Sequence, residues 1–150
     1  MLFRSHYRQA LAIKRDHARA LNNWGVVLAR QGKLAEAGDH FQASLHISPD
    51  NAEAHNNWGI VLARQSKLAE ASDHYQRALR IMPDYADAHY NWGNALAQQG
   101  RLTEAVQHYQ WALQINPNFT QARSHLVDAL RGLGTGTEDT ARSRTGEKTE

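Results

Sequence analysis

Apolar positions along this chain recur at spacings of three and four, the signature of amphipathic helices. Phe3, Tyr7, Ala10, Leu11 and Ile13 share one face of a helix predicted over Leu2 to Lys14. A second helix is predicted from about Ala18 to Gln31, with Ala20, Trp24, Val27 and Leu28 turned inward. A third, from about Ala35 to Ile47, turns Ala37, Phe41, Ser44 and Leu45 inward. Gly32 supplies the left-handed residue that ends the second helix. Pro49 keeps the chain from continuing as helix after the third. Two antiparallel helices joined by a tight turn result, and the same unit then returns twice.

The return is regular. Asn22-Asn23-Trp24-Gly25 becomes Asn56-Asn57-Trp58-Gly59 and then Tyr90-Asn91-Trp92-Gly93, a step of 34 residues each time. Ala37, Phe41 and Pro49 become Ala71, Tyr75 and Pro83, then Ala105, Tyr109 and Pro117. With this period and these positions the chain resembles the tetratricopeptide repeat family over nearly everything from Leu2 to about Leu133. The resemblance implies an all-α fold, an α-solenoid of antiparallel helix pairs. Three full repeats are expected, at about 18–51, 52–85 and 86–119 within residues 17–119. Residues 1–16 hold the B-type (second) helix of an incomplete repeat, since His6-Tyr7 stands in the register of His40-Phe41, His74-Tyr75 and His108-Tyr109. Residues 120–133 are expected as a capping helix, with Leu126, Ala129 and Leu130 covering the last pair and Arg123, Asp128 and Arg131 outward.

Residues 134–150 carry Thr, Gly, Ser and alternating charges, too little apolar surface to offset ordering, and disorder is expected there. Gly132-Leu133-Gly134-Thr135-Gly136 follows a helix and leads into no second one, which argues against a phosphate loop. Asp50 followed by Glu53 reads as an N-cap acid with a capping Glu, and Asp84 with Asp87 and Asn118 with Gln121 occupy related places. Ser66 stands where the turn glycine is expected, at a cost of about 1 kcal/mol if its backbone is left-handed.

Composition narrows the picture without naming a job. The 150 residues are 41% apolar and 21% charged, compatible with one domain. The absence of cysteine removes disulfides and thiol chemistry. A net charge of +2 with both signs spread through every repeat does not form the basic stripe of a nucleic-acid binder. The longest apolar run, Trp24 to Ala29, is too short to span a bilayer, and the first residues lack the apolar stretch of a secretory signal. A cytoplasmic location and no membrane insertion are the expectation.

In the resemblance, the first helix of each repeat lines an inner groove. There the chain sets Asn23, Asn57 and Asn91 in one register, with Asn22, Asn56, Tyr90 and Asn94 beside them and Arg30 and Arg64 nearby. An amide offers a donor and an acceptor, so it can pair with the main chain of an extended peptide whatever its side chains. The row is similar to the asparagine ladder of the O-linked N-acetylglucosamine transferases, which implies recognition of peptide backbone. A tolerated polar residue on a solvated face is the plainer account of any one of them. Heat-shock co-chaperones of this family grip a terminal carboxylate with Lys, Asn, Asn, Lys and Arg. The matching positions here are Asn22, Val26, Asn57, Asp87 and Asn91, of which only Asn57 agrees.

The histidine row His6, His40, His74 and His108 reads as helix packing and not as a metal array, because packed helices lie about 8–10 Å apart and ligand bonds to zinc about 2 Å. Trp24, Trp58 and Trp92 read as core. Trp111, whose register elsewhere holds Ala43 and Arg77, is the candidate contact on the outer surface. No acid pair, nucleophile with a base or cofactor loop has the arrangement of an active site. The expected function is therefore a non-enzymatic scaffold that binds an extended protein segment, with no cofactor or metal. The alternatives are the repeat portion of a larger enzyme such as a glycosyltransferase, and a solenoid that self-associates through Phe3 and Tyr7 into a homo-oligomer.

Overall fold

The computed structural model describes the backbone of residues 2–145 and the side chains of 6, 9, 10 and 12–134. It contains seven α-helices and, among the described residues, no strand: α1 Leu2–Arg30, α2 Leu34–Ile47, α3 Ala52–Arg64, α4 Leu68–Ile81, α5 Ala86–Gln98, α6 Leu102–Ile115 and α7 Thr120–Thr145. The fold is the all-α arrangement of antiparallel helix pairs that the repeat predicts. It divides into two compact units, residues 1–84 with α1 to α4 and residues 85–150 with α5 to α7.

Each pair is locked by one aromatic ring and one glycine. Phe41, Tyr75 and Tyr109 are at most 2% exposed. A Cβ on Gly25 would lie 2.7 Å from Cε1 of Phe41, on Gly59 2.5 Å from that of Tyr75, and on Gly93 2.6 Å from that of Tyr109. Glycine therefore lets each ring lie directly on the facing backbone. In the first unit Leu28, Ala37, Phe41 and Val61 form a buried cluster with Trp58 and Leu34 against it. In the second, Leu96, Ala105, Val106, Tyr109 and Ala129 do the same with Trp92, Leu102 and Leu126. The Ser44 hydroxyl, fully buried, donates to the Ala18 carbonyl at 2.7 Å and ties the last turn of α2 to the middle of α1.

The turns inside the pairs are alike. Lys33, Lys67 and Arg101 donate their backbone N–H back to Leu28, Leu62 and Leu96 across a left-handed residue, which closes the end of each first helix. That residue is Gly32 (φ 81°), Gly100 (φ 76°) or, in the middle repeat, Ser66 (φ 63°). Ser66→Gly is accordingly expected to stabilise the chain by about 0.5–1 kcal/mol, the relief of the left-handed Cβ less the extra entropy of an unfolded glycine. A urea midpoint unchanged or lowered would contradict this.

Several elements differ from the sequence reading. The segments Leu2–Lys14 and Ala18–Gln31 are one continuous helix, and the cause lies at residue 15. Pro49, Pro83 and Pro117 break the chain between repeats, but Arg15 occupies that register. Arginine keeps its backbone N–H and favours helix, so nothing stops α1 there. The inward assignment of Ala20, Trp24 and Val27 is also corrected: Ala20 is exposed, and Trp24 and Val27 are 54% and 40% exposed. The indole of the next repeat, Trp58, is only half-buried, within 3.8 Å of the position a Cβ on Gly38 of α2 would take. That cover comes from the preceding second helix, and Trp24 has none because α1 runs straight.

The N-cap of α3 is Asn51, whose side chain accepts from Ala54 N–H at 3.1 Å, and not Asp50. For α5 the capping position holds Tyr85, which makes no side-chain cap. The helix expected over 120–133 is α7, whose described bounds are Thr120–Thr145, no proline interrupting it. Gly132 is helical, and a Cβ on it would meet Leu102 at 2.9 Å, so this glycine serves close packing of α7 on α6. The Phe3 and Tyr7 side chains lie outside the described residues, as do residues 146–150.

Candidate functional site

The faces of the first helices are built differently in the two units. In the first, Glu53 and Asn57 are four residues apart on α3 and so stand one turn above the other. They straddle Asn22 of α1: the Asn22 amide donates to Glu53 Oε1 at 3.2 Å, and the Asn57 amide donates to Asn22 Oδ1 at 3.1 Å. Asn22 is 1% exposed. Its place in the predicted peptide-contact set is therefore corrected, because its donor and acceptor are spent joining α1 to α3. Asn56 is 3% exposed and is corrected for the same reason of burial. Asn23 is exposed, and Asn57 is half-buried with one amide hydrogen used on Asn22. Arg30 and Arg64 are exposed at the last turns of α1 and α3, and the Arg64 guanidinium donates to the Ala29 carbonyl at 2.7 Å. The half-buried Val26 and Ile60 lie in register on the same face.

In the second unit the equivalent face of α5 and α7 holds a cleft of about 390 Å³ lined by Asn94, Gln98, Leu102, Tyr109, His125 and Asp128. Asn94 Oδ1 accepts from the Tyr109 hydroxyl at 2.9 Å and faces His125 Nδ1 at 2.7 Å. A carbonyl oxygen only accepts, so His125 carries its proton on Nδ1. Burial, with Tyr90 and Asp128 adding to it, pushes the Tyr109 hydroxyl up to about 12, and it stays a neutral donor. Tyr90 packs against Phe119 and His125 with ring centroids 4.8 and 5.4 Å apart. Asn91 and Asn94 are half-buried. His125 stands one 34-residue step beyond Asn91 and so continues the asparagine register. The sequence reading passed over it, although the step alone points to it.

The histidines form pairs that sequence spacing does not reveal. His55 Nδ1 and His74 Nδ1 are 3.0 Å apart, and His89 Nδ1 and His108 Nδ1 are 3.1 Å apart. His55 Nε2 lies 3.1 Å from the Pro49 carbonyl and must donate to it, which leaves Nδ1 of the neutral ring bare. His74 then donates from Nδ1. Trp58 covers His74 at 4.3 Å between centroids, and Trp92 covers His108 at 4.2 Å. Burial, then the like charges of His55 and Arg77, lowers His74 to about 4. Burial and then His89 lower His108 to about 4. His55 is lowered as well, chiefly by burial. Trp111, 43% exposed on α6, lies 5.4 Å from His89 and 5.0 Å from His108. No group of three or more metal-binding side chains occurs among the described residues, and no described helix is long and apolar enough to cross a membrane.

Two family models of the tetratricopeptide repeat match the chain, over residues 16–84 and 86–119. Among solved structures, the first such domain of human RPAP3 is 25% identical over 83% of this chain and 98% of its own, with a TM-score of 0.80. The first such domain of Spaghetti (RPAP3), solved bound to the HSP90 peptide SRMEEVD, is 26% identical over 79% of this chain and 94% of its own, with a TM-score of 0.78. The O-GlcNAc transferase of Thermobaculum terrenum is 27% identical with a TM-score of 0.75, over 78% of this chain and 22% of the transferase. Comparison with curated protein sequences finds no match. The family matches together take in well over half the chain and cover its three helix pairs, so this chain belongs to the tetratricopeptide repeat family.

Proposed function

We propose that this chain is a non-enzymatic protein-interaction scaffold whose first-helix faces bind an extended polypeptide segment. One observation carries the reading. On α1 and α3 the exposed Asn23, Arg30 and Arg64 and the half-buried Asn57 surround the apolar Val26 and Ile60 on one face. Asn57 keeps a carbonyl oxygen and a second amide hydrogen beyond its bond to Asn22, enough to meet both groups of a peptide unit. The guanidinium groups favour a segment with acidic side chains. Asn91, Asn94, Tyr90 and His125 offer amide and ring contacts on the second unit. The similar domain that is bound to an HSP90 peptide supports peptide binding as the class of activity. Val26 and Asp87 stand where co-chaperones of this family carry clamp residues, which argues for a different ligand.

Likeness to the O-GlcNAc transferase, whose chain it covers by 22%, favours a second reading as the repeat portion of a larger enzyme that presents substrate polypeptides. The two readings share the binding face.

A displayed library of random peptides tests it. Peptides enriched on the wild-type chain are expected to contain Asp or Glu. Asn23→Ala with Asn57→Ala is expected to weaken every enriched peptide about tenfold, at roughly 0.5–1.5 kcal/mol per lost hydrogen bond. Arg30→Glu with Arg64→Glu is expected to abolish the acidic preference. Equal binding by wild type and both double variants would overturn the assignment of the face.

A further inference from the structure

The uncovered surface beside Trp24 points to an occupant already present in the sequence. In the first unit, α2 follows its proline-free turn and later lies beside Trp58 of α3, with Gly38 at the indole. One 34-residue step earlier, the indole is Trp24 and the residue in the register of Gly38 is Arg4. Residues 2–14 thus carry the sequence of the helix that should cover Trp24, including Tyr7 in the register of Phe41 and Tyr75. They do not reach it. Position 15 lacks the proline of the other junctions, α1 stays straight, and residues 4 and 24 of one chain are separated by about 30 Å of helix. Trp24 at 54%, Val27 at 40% and Ile13 at 70% exposed are left in water.

We propose that residues 2–14 of one copy pack across the α1–α2 pair of a second copy, in the place that α2 takes beside Trp58, and that the exchange is reciprocal. This is a domain swap, in which an element that fits its own chain is donated to another because the hinge runs straight. The covering helix needs no new chemistry, since the contact repeats one that the fold already makes between α2 and α3. The area suffices. Phe3 and Tyr7 each bring about 150–250 Å², and Trp24, 54% exposed, about half as much. Two exchanges then bury about 750–1,250 Å² from these rings alone, which reaches the lower end of the roughly 1,200–2,000 Å² of a stable interface.

The test is the mass of the whole chain by light scattering across a dilution series, with helicity followed by circular dichroism. Wild type is expected at twice the 16.9 kDa of one chain. Trp24→Glu is expected to weaken the dimer at least tenfold. Arg15→Pro restores the break found at Pro49, lets residues 2–14 turn back onto their own Trp24, and is expected to give a monomer of undiminished thermal stability. Should Trp24→Glu fail to fold, Arg15→Pro decides alone. A wild-type chain at 16.9 kDa at every concentration would overturn the proposal, and so would a dimer that Arg15→Pro leaves intact.

Discussion

Tyr75→Ala is expected to lower the stability of the first unit by about 3–5 kcal/mol, the range for removing a large aromatic side chain from a core. The ring is 1% exposed and lies where a Cβ on Gly59 would be, so its loss leaves a hole faced on one side by helix backbone. Backbone cannot collapse into that hole as a side chain can, which places the substitution toward the costly end. Burial also raises the pKa of the phenol, so the hydroxyl stays neutral and Tyr75→Phe is expected to be far milder. Urea unfolding of the two variants checks this. A Tyr75→Ala loss below about 1 kcal/mol would show that the ring does not hold α3 to α4.

Acidification is expected to cost a comparable amount through the histidine pairs. His74 and His108 are held neutral in the folded chain down to about 4, against an ordinary value of 6.5. Lowered folded values mean that the unfolded chain binds protons first as pH falls. Their contribution to stability is therefore complete above pH 6.5 and is lost progressively between 6.5 and about 4. Solvent screening at the half-buried His74 limits its loss to about 1–2 kcal/mol, and His108, 8% exposed, lies at or above the upper end of that range. Arg77 adds to the effect at His74, while Asp73 opposes it there and Glu104 opposes it at His108. Urea midpoints at pH 7 and pH 4.5 measure the difference. His74→Gln with His108→Gln should flatten the profile, and an unaltered slope in that variant would assign the acid sensitivity to other groups.

Much of the fold was legible because the 34-residue step repeats every local signal at once: helix face, turn residue and proline. Gly25, Gly59 and Gly93 return with that step, and each lies against a buried ring. What escaped was set between helices. Trp24 and Trp58 share residue type and register, yet one is exposed, because their cover comes from the preceding repeat and α1 supplies none. Asn22 looks like a solvated residue when α1 is taken alone. Only the lateral spacing of α1 and α3 shows that Glu53 and Asn57 close over it. His55 and His74 are 19 residues apart on antiparallel helices, a separation at which no periodicity signals contact. Of the candidate face, Asn23, Arg30 and Arg64 are exposed, as residues on the side of a first helix turned away from its partner are.

The stacking of Trp58 on His74 and of Trp92 on His108 gives each unit an optical probe of its own chemistry. A protonated imidazole quenches a neighbouring indole, so emission from these two residues reports proton uptake at their partners. Trp24, 54% exposed and in neither of these stacked pairs, emits as an internal reference until another surface covers it.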